Sequence, residues 1–275
     1  MAVITAAPAT RTTRLGPSTL QITYRTLLRY LRTPQLIVLG TIQGAMFLLI
    51  FRYVFGGAIP IKGGIPYVDF LVPGFITTGV LFTGMNAATG TAEDLQQGFV
   101  DRLRSLPVPR LCFLTGRAIA DTAWNTWGLI VTAAIGFAVG FRIHGPVLDS
   151  LAAFGLCVVF GFAFEWLFIM LGLMAGTPQA AQGMALLVFP FTFVSSAYIP
   201  VSSMPGWLQA FASHQPVTYM ADAVRSLSQG HAAELLIGHS TGYLVSASLL
   251  WALAWLGVLY LIAWGMYRRK WFVAL

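Results

Sequence analysis

Apolar residues run along this chain in six long blocks separated by short polar breaks. A helix needs about 20 mostly apolar residues to cross a hydrocarbon core of roughly 30 Å. The pattern predicts spans over 35–55, 69–89, 114–139, 147–174, 180–199 and 243–267, the fourth long enough to tilt. Ahead of them, Pro17-Ser18 opens a helix, with Ser18 as its N-cap. Leu20, Tyr24, Leu27 and Leu31 share one face of it; Gln21, Arg25, Arg29 and Arg32 share another. Such a basic amphipathic helix lies in the membrane interface with its arginines towards lipid phosphates. Pro34 stops it, because proline disfavours a helical residue before it and has no N–H.

The expectation is an all-α integral membrane protein. It has a tail at 1–16, an amphipathic helix at 17–34, a six-span body at 35–270 and a second tail at 271–275. Two segments depart from the simple alternation of span and turn. The loop at 91–112 gathers Glu93, Asp94, Asp101, Arg102, Arg104 and Arg110 around Gly98, Leu103, Leu106 and Pro107. Glu93 and Asp94 are expected at the start of a short helix, where the macrodipole favours acids. Such a helix, closed by Pro107 and Pro109, suits docking into a groove on another protein. The second segment, 200–232, holds two short helical pieces around the break His214-Gln215-Pro216. Neither is long enough to span, so short re-entrant helices dipping from the outer side are expected between spans five and six, with a surface loop resting on the outer leaflet as the alternative.

Charge then orients the chain. Charged residues make up 9% of it against 57% hydrophobic, with a mean hydropathy of +0.76. A soluble domain carries about 25% charged residues, so a bilayer is the natural solvent here. The net charge of +7 sits beside apolar spans, not in one patch, which favours anionic lipid over nucleic acid. Arg11, Arg14, Arg25, Arg29, Arg32, Arg102, Arg104, Arg110, Arg117, Arg268, Arg269 and Lys270 fall on one side; only Arg52, Lys62, Arg142 and Arg225 fall on the other. Cationic loops stay in the cytoplasm, so both termini of this multi-pass chain are expected there. Residues 1–16 lack a central apolar run and do not read as a cleaved signal.

Candidate chemistry is sparse. A P-loop needs Gly-Lys-Ser/Thr, but Lys62 follows Ile61 and Lys270 precedes Trp271, and there is no other lysine. ATP is therefore not bound here in the P-loop way. His144, His214, His231 and His239 lack tight metal-ligand spacing, and no serine sits in a nucleophile elbow. Cys112 and Cys157 read as small core residues. Glu165 lies well inside the fourth span, where an acid is a candidate for cation attraction or proton relay, or else for a helix-to-helix bond. Asp121 is placed to pair locally with Arg117.

On these residues the chain resembles the membrane subunit of an ABC-2-type ABC exporter, of the daunorubicin/doxorubicin-resistance permease kind. The likeness rests on the interfacial helix, the six spans, the loop ending Arg102-Leu103-Arg104-Ser105-Leu106-Pro107, and an outer pattern. That pattern runs Pro205-Gly206-Trp207-Leu208, His214-Gln215-Pro216-Val217-Thr218-Tyr219 and Ala223-Val224-Arg225. The resemblance implies two separate ATPase subunits, which bind ATP and Mg, and a second permease subunit, identical or related. It makes 93–110 the coupling helix and 18–33 the connecting helix. It places Trp207, His214, Gln215, Pro216, Tyr219 and Arg225 at an outer gate. Phe75, Phe82, Met85, Glu165, Phe189, Phe191 and Phe193 would line the substrate route. The aliphatic spans favour a lipophilic drug, lipid or similar amphipathic cargo over polysaccharide. A proton-coupled secondary transporter centred on Glu165, and a membrane assembly protein without flux, stay open as alternatives.

Overall fold

The computed structural model describes residues 14–59, 61 and 65–273. Arg11, Lys62 and most of the first tail lie outside the described residues, as do the side chains of Arg104, Arg269 and Lys270. What is described is helical, with no strand among the described residues. α1 (Leu15–Leu31) leads into α2 (Pro34–Leu49), which widens into a π-helical stretch, Ile50–Phe55. There follow α3 (Tyr67–Gln96), α4 (Phe99–Arg104), α5 (Leu111–Ala138) and α6 (Val147–Ala175). After these come α7 (Pro178–Leu186), α8 (Phe189–Phe193), a 3-10 turn at Val201–Ser203, α9 (Gly206–Ala212), α10 (Pro216–Gln229), α11 (His231–Ile237) and α12 (Thr241–Val273).

Four helices among the described residues are long and apolar enough to cross a membrane: 38–55, α3, α6 and the 241–268 stretch of α12. The predicted third span is present as the 28-residue α5, but it carries Arg117 and Asp121 in its first three turns. The predicted fifth span is not one helix. It divides into α7 and α8, and 194–200 leaves helical geometry before the 3-10 turn. Pro190 enters α8 at its first turn, after the chain has already lost regular helix at Leu187 and Val188.

α3 forms the axis, packed against α5, α6, α7 and α10, and α6 packs on α12. Close approach depends on missing side chains. A Cβ on Gly74 would sit 1.9 Å from the Ala197 carbonyl oxygen, and one on Gly172 would sit 2.4 Å from that of Ala88. Three apolar clusters fill the interior, around Phe113–Trp166–Phe168, Phe160–Phe164–Met220 and Phe70–Leu71–Tyr198. Cys112 and Cys157 are free and buried in this packing. By contrast α2 shows Val38, Leu39, Ile42 and Met46 to its surroundings, as a helix bathed in lipid does.

The entry to α12 is held by a carboxylate. Glu234 Oε1 accepts from the Thr241 N–H and from its hydroxyl, both at 2.7 Å. The Thr241 backbone N–H first, then its hydroxyl and His231, lower the Glu234 pKa to about 2 from its ordinary value near 4.5. A depressed carboxyl stabilises the fold above its ordinary pKa and loses that contribution as pH falls towards 2. Wild type is therefore expected to protect the 238–244 amides better than Glu234→Gln at pH 6, in exchange rates corrected for pH. The two should converge near pH 2, and an equal difference at both pH values would refute the assignment.

Candidate functional site

Two polar centres stand out from the apolar bundle, one at each end of α3. The first lies where α1 crosses the C-terminal end of α3 and the start of α5. α1 has three faces, where its sequence suggested two. Ser18, Thr19, Ile22, Thr23, Thr26 and Tyr30 are buried, mostly against α5. Thr23 donates to the Gly116 carbonyl at 3.0 Å, and a Cβ on Gly116 would press Ile22 at 2.9 Å. Leu20, Tyr24 and Leu31 are exposed. Ser18 is not the N-cap, for Arg14 holds that position and the Ser18 hydroxyl bonds back to its carbonyl.

The arginine face meets acids. Glu93 and Asp94 were expected to begin a helix, yet they close α3, the end where the macrodipole disfavours them. Cations offset that. Asp94, buried, accepts from Arg25 Nη2 and Arg117 Nη1, each at 2.9 Å, with Arg29 Nη1 at 3.8 Å. Arg29 also pairs with Glu93. Arg117, 1% exposed, turns its Nε to Asp121 at 2.8 Å. Tyr30 donates its hydroxyl to Asp121 and stacks on Trp124 at 5.0 Å. Burial, then the Asp121 charge, push the Tyr30 hydroxyl pKa well up, so it remains a donor. Two sequence expectations are refined here. Arg25 and Arg29 engage the carboxylates of Asp94 and Glu93 while their side chains stay 39% exposed. The Arg117–Asp121 pair is present, but as part of a buried knot joining three helices.

Below this knot hangs α4. Gly98 provides the left-handed turn (φ 68°) that reverses the chain into it. Val100 and Leu103 are buried, while Phe99 lies under the Arg25 guanidinium at 3.7 Å and tilts against Phe113. That anchors one face and presents the other: Asp101, Arg102, Ser105, Leu106 and Pro107 are exposed, Leu106 at 54%. Arg102 Nη2 rests on the Gln97 carbonyl at 2.9 Å, and Arg110 is half-buried at the entry to α5.

The second centre, at the opposite end, was not legible as such. Arg225 is 0% exposed. It donates to the Phe70 carbonyl at 3.0 Å, the Ser196 carbonyl at 2.9 Å and Asp222, and its guanidinium covers the Phe70 ring at 3.7 Å. So Arg225 fastens α10 to α3 and to the irregular 194–200 stretch, and does not face an outer opening. The other residues assigned to a gate are scattered. Trp207 is 77% exposed, and His214 is exposed on its own turn. Gln215 is buried against the Val194 carbonyl, Pro216 begins α10, and Tyr219 packs edge-on with Tyr243.

Of the residues assigned to a substrate route, Phe82, Phe189 and Phe193 form one aromatic row, with centroids 5.0 and 4.9 Å apart. Phe191 turns the other way, to Phe211, and is exposed. Phe75 is core, packed on Tyr198, and Met85 packs at the edge of a core cluster. Glu165 is buried between helices, with Oε1 taking one bond from Asn125 at 3.4 Å. Its Oε2 has no hydrogen-bond partner among the described residues.

A family model described as ABC-2 type transporter matches residues 17–228, from α1 through both centres. The chain belongs to the ABC-2 type transporter family. The daunorubicin resistance ABC transporter permease protein DrrB1 of Streptomyces coeruleorubidus is 31% identical over 216 residues, 78% of this chain and 76% of that one. The probable doxorubicin resistance ABC transporter permease protein DrrC of Mycobacterium tuberculosis is 28% identical over 77% of each chain. The inner membrane transport permease YadH of Escherichia coli is 25% identical over 70% of this chain and 74% of its own. This ABC-2 chain is therefore a membrane subunit of an ABC transporter, in a family whose members are permeases and not ATPases. Its apolar helices fit a multi-pass membrane protein.

Proposed function

We propose that this chain is the permease subunit of an ATP-driven exporter for a lipophilic drug, lipid or similar amphipathic compound. The observation that carries the reading is α4. It is a short helix at the edge of the bundle, anchored by Val100 and Leu103, backed by the Asp94 knot, and open at Arg102 and at Leu106 in the turn that follows it. That is the form of a lever. A partner pressing on α4 moves α3 and α5 together, because Arg117 and Asp94 tie the two helices beside it.

In this reading α4 faces the cytoplasm and docks on an ATPase subunit, with α1 as the connecting helix in the inner-leaflet interface. Two ATPase subunits bind ATP and Mg, and a second permease, identical or related, completes the pathway. The chain crosses the membrane six times, with α7 and α8 as a broken fifth span and α9 to α11 dipping from the outer side. Both termini are cytoplasmic. The row Phe82, Phe189 and Phe193 offers cargo an aromatic wall, and the relatives named for daunorubicin and doxorubicin resistance support a lipophilic cargo. Glu165, enclosed between helices, is poorly placed to carry ions along an open path.

The test is a tagged pull-down from native membranes in mild detergent, read by mass spectrometry. A P-loop ATPase should appear in equal amount. Arg102→Glu on α4 with Leu106→Asp in the exposed turn that follows it is expected to lower its recovery at least about tenfold while leaving the permease folded. An undiminished ATPase band would rule out α4 as the dock.

A further inference from the structure

We propose that the open groove along α1 binds the headgroup of an anionic phospholipid. The groove has a volume of about 450 Å³ and is lined by Tyr24, Arg25, Leu28, Arg29, Arg32 and Thr33. Its three guanidiniums differ in commitment. Arg25 and Arg29 engage Asp94 and Glu93, yet their side chains keep 39% of their exposure. Arg32 is exposed and makes no ion pair among the described residues. Asp94 is shared with Arg117 behind it, so the acids do not neutralise the groove and it stays cationic. A guanidinium fork meets a phosphate through paired charge-assisted bonds, a geometry a lysine lacks.

A second observation selects the partner. Beside the arginines, Leu20, Tyr24 and Leu31 point away from the protein, 64–65% exposed. Across the corner at Thr33, α2 continues with exposed Val38, Leu39 and Ile42. A cationic groove thus has exposed apolar side chains beside it on both helices. An amphiphile with a negative head and apolar tails matches both at once, whereas a soluble acidic protein matches only the groove. A phosphate seated at Arg32 and Arg29 competes with Glu93 for Arg29, so the lipid sits where it can loosen or tighten the knot behind α4. Binding itself does not depend on the exporter reading.

The experiment is native mass spectrometry of the full chain in mild detergent, titrated with dioleoylphosphatidylglycerol or dioleoylphosphatidylcholine. Adducts of the anionic lipid should dominate. Arg32→Gln should lower their occupancy about fivefold, Arg32→Lys should recover only part of it because the charge stays but the paired bonds are lost, and Arg268→Gln, exposed on α12, should change nothing. Equal binding of the two lipids overturns the proposal, as does an equal drop in Arg268→Gln, which would mean diffuse charge. Undiminished lipid adducts in Arg32→Gln, together with a lost ATPase partner, would assign the groove to a protein instead.

Discussion

Asp94→Ala is expected to unfasten the whole α1 end of the bundle, at a cost of about 3–5 kcal/mol. Asp94 is the common acceptor of Arg25 and Arg117, with Arg29 at 3.8 Å. Removing it leaves the Arg117 guanidinium, 1% exposed, with only Asp121 as counter-charge. Water does not reach that site to compensate. The midpoint of thermal unfolding in detergent should fall sharply, and nucleotide turnover by the assembled transporter should no longer respond to cargo. Arg117→Ala should cost a similar amount. The double variant should cost less than the sum of the two by at least about 1 kcal/mol, because both changes remove one interaction. Strict additivity would mean that the knot is not a unit.

Arg225→Ala should be comparably severe, again about 3–5 kcal/mol, at the other end of the molecule. It leaves two backbone carbonyls, those of Phe70 and Ser196, and the Asp222 carboxylate without their donor. Arg225→Lys keeps the charge but cannot reach three acceptors in one plane, so it should recover only part of the loss. Protease cleavage in the 194–200 stretch is the direct readout, since this side chain holds that irregular backbone at the Ser196 carbonyl. A variant that keeps wild-type resistance there and wild-type thermal stability would refute the role.

The contrast between these two sites shows what a linear pattern can carry. The apolar blocks gave the starts of α2, α3, α5, α6 and α12 to within three residues, because burial in lipid or protein demands long apolar runs, while α3 and α12 run on past their predicted ends. The break at His214-Gln215-Pro216 was also legible, since proline acts locally. The fifth span misled for the same reason: its composition is apolar throughout, while its helix is broken. Hydropathy does not report whether backbone hydrogen bonds close within one helix or on a neighbour such as Gln215 or Arg225.

Charge was harder. Glu93 and Asp94 were visible as a cluster, but a helix period cannot tell whether α3 ends before them or carries them as its last turn. Arg225 counted simply as one cation on the sparsely charged side, though its partners lie 29 and 155 positions away. Nor did the amphipathic pattern of α1 disclose the hydroxyl face that packs on α5, because threonine reads as neither apolar nor charged.

By itself, then, the sequence determined the helical class, the solvent, the positions of most helices, the absence of a nucleotide-binding motif and the family likeness. Each depends on residues near one another in the chain. Only the tertiary structure decided which charges are spent inside the protein and which remain outside to meet a partner. In a medium of low dielectric an ion is stable only against a counter-charge, and that counter-charge lies on whichever helix the fold brings beside it.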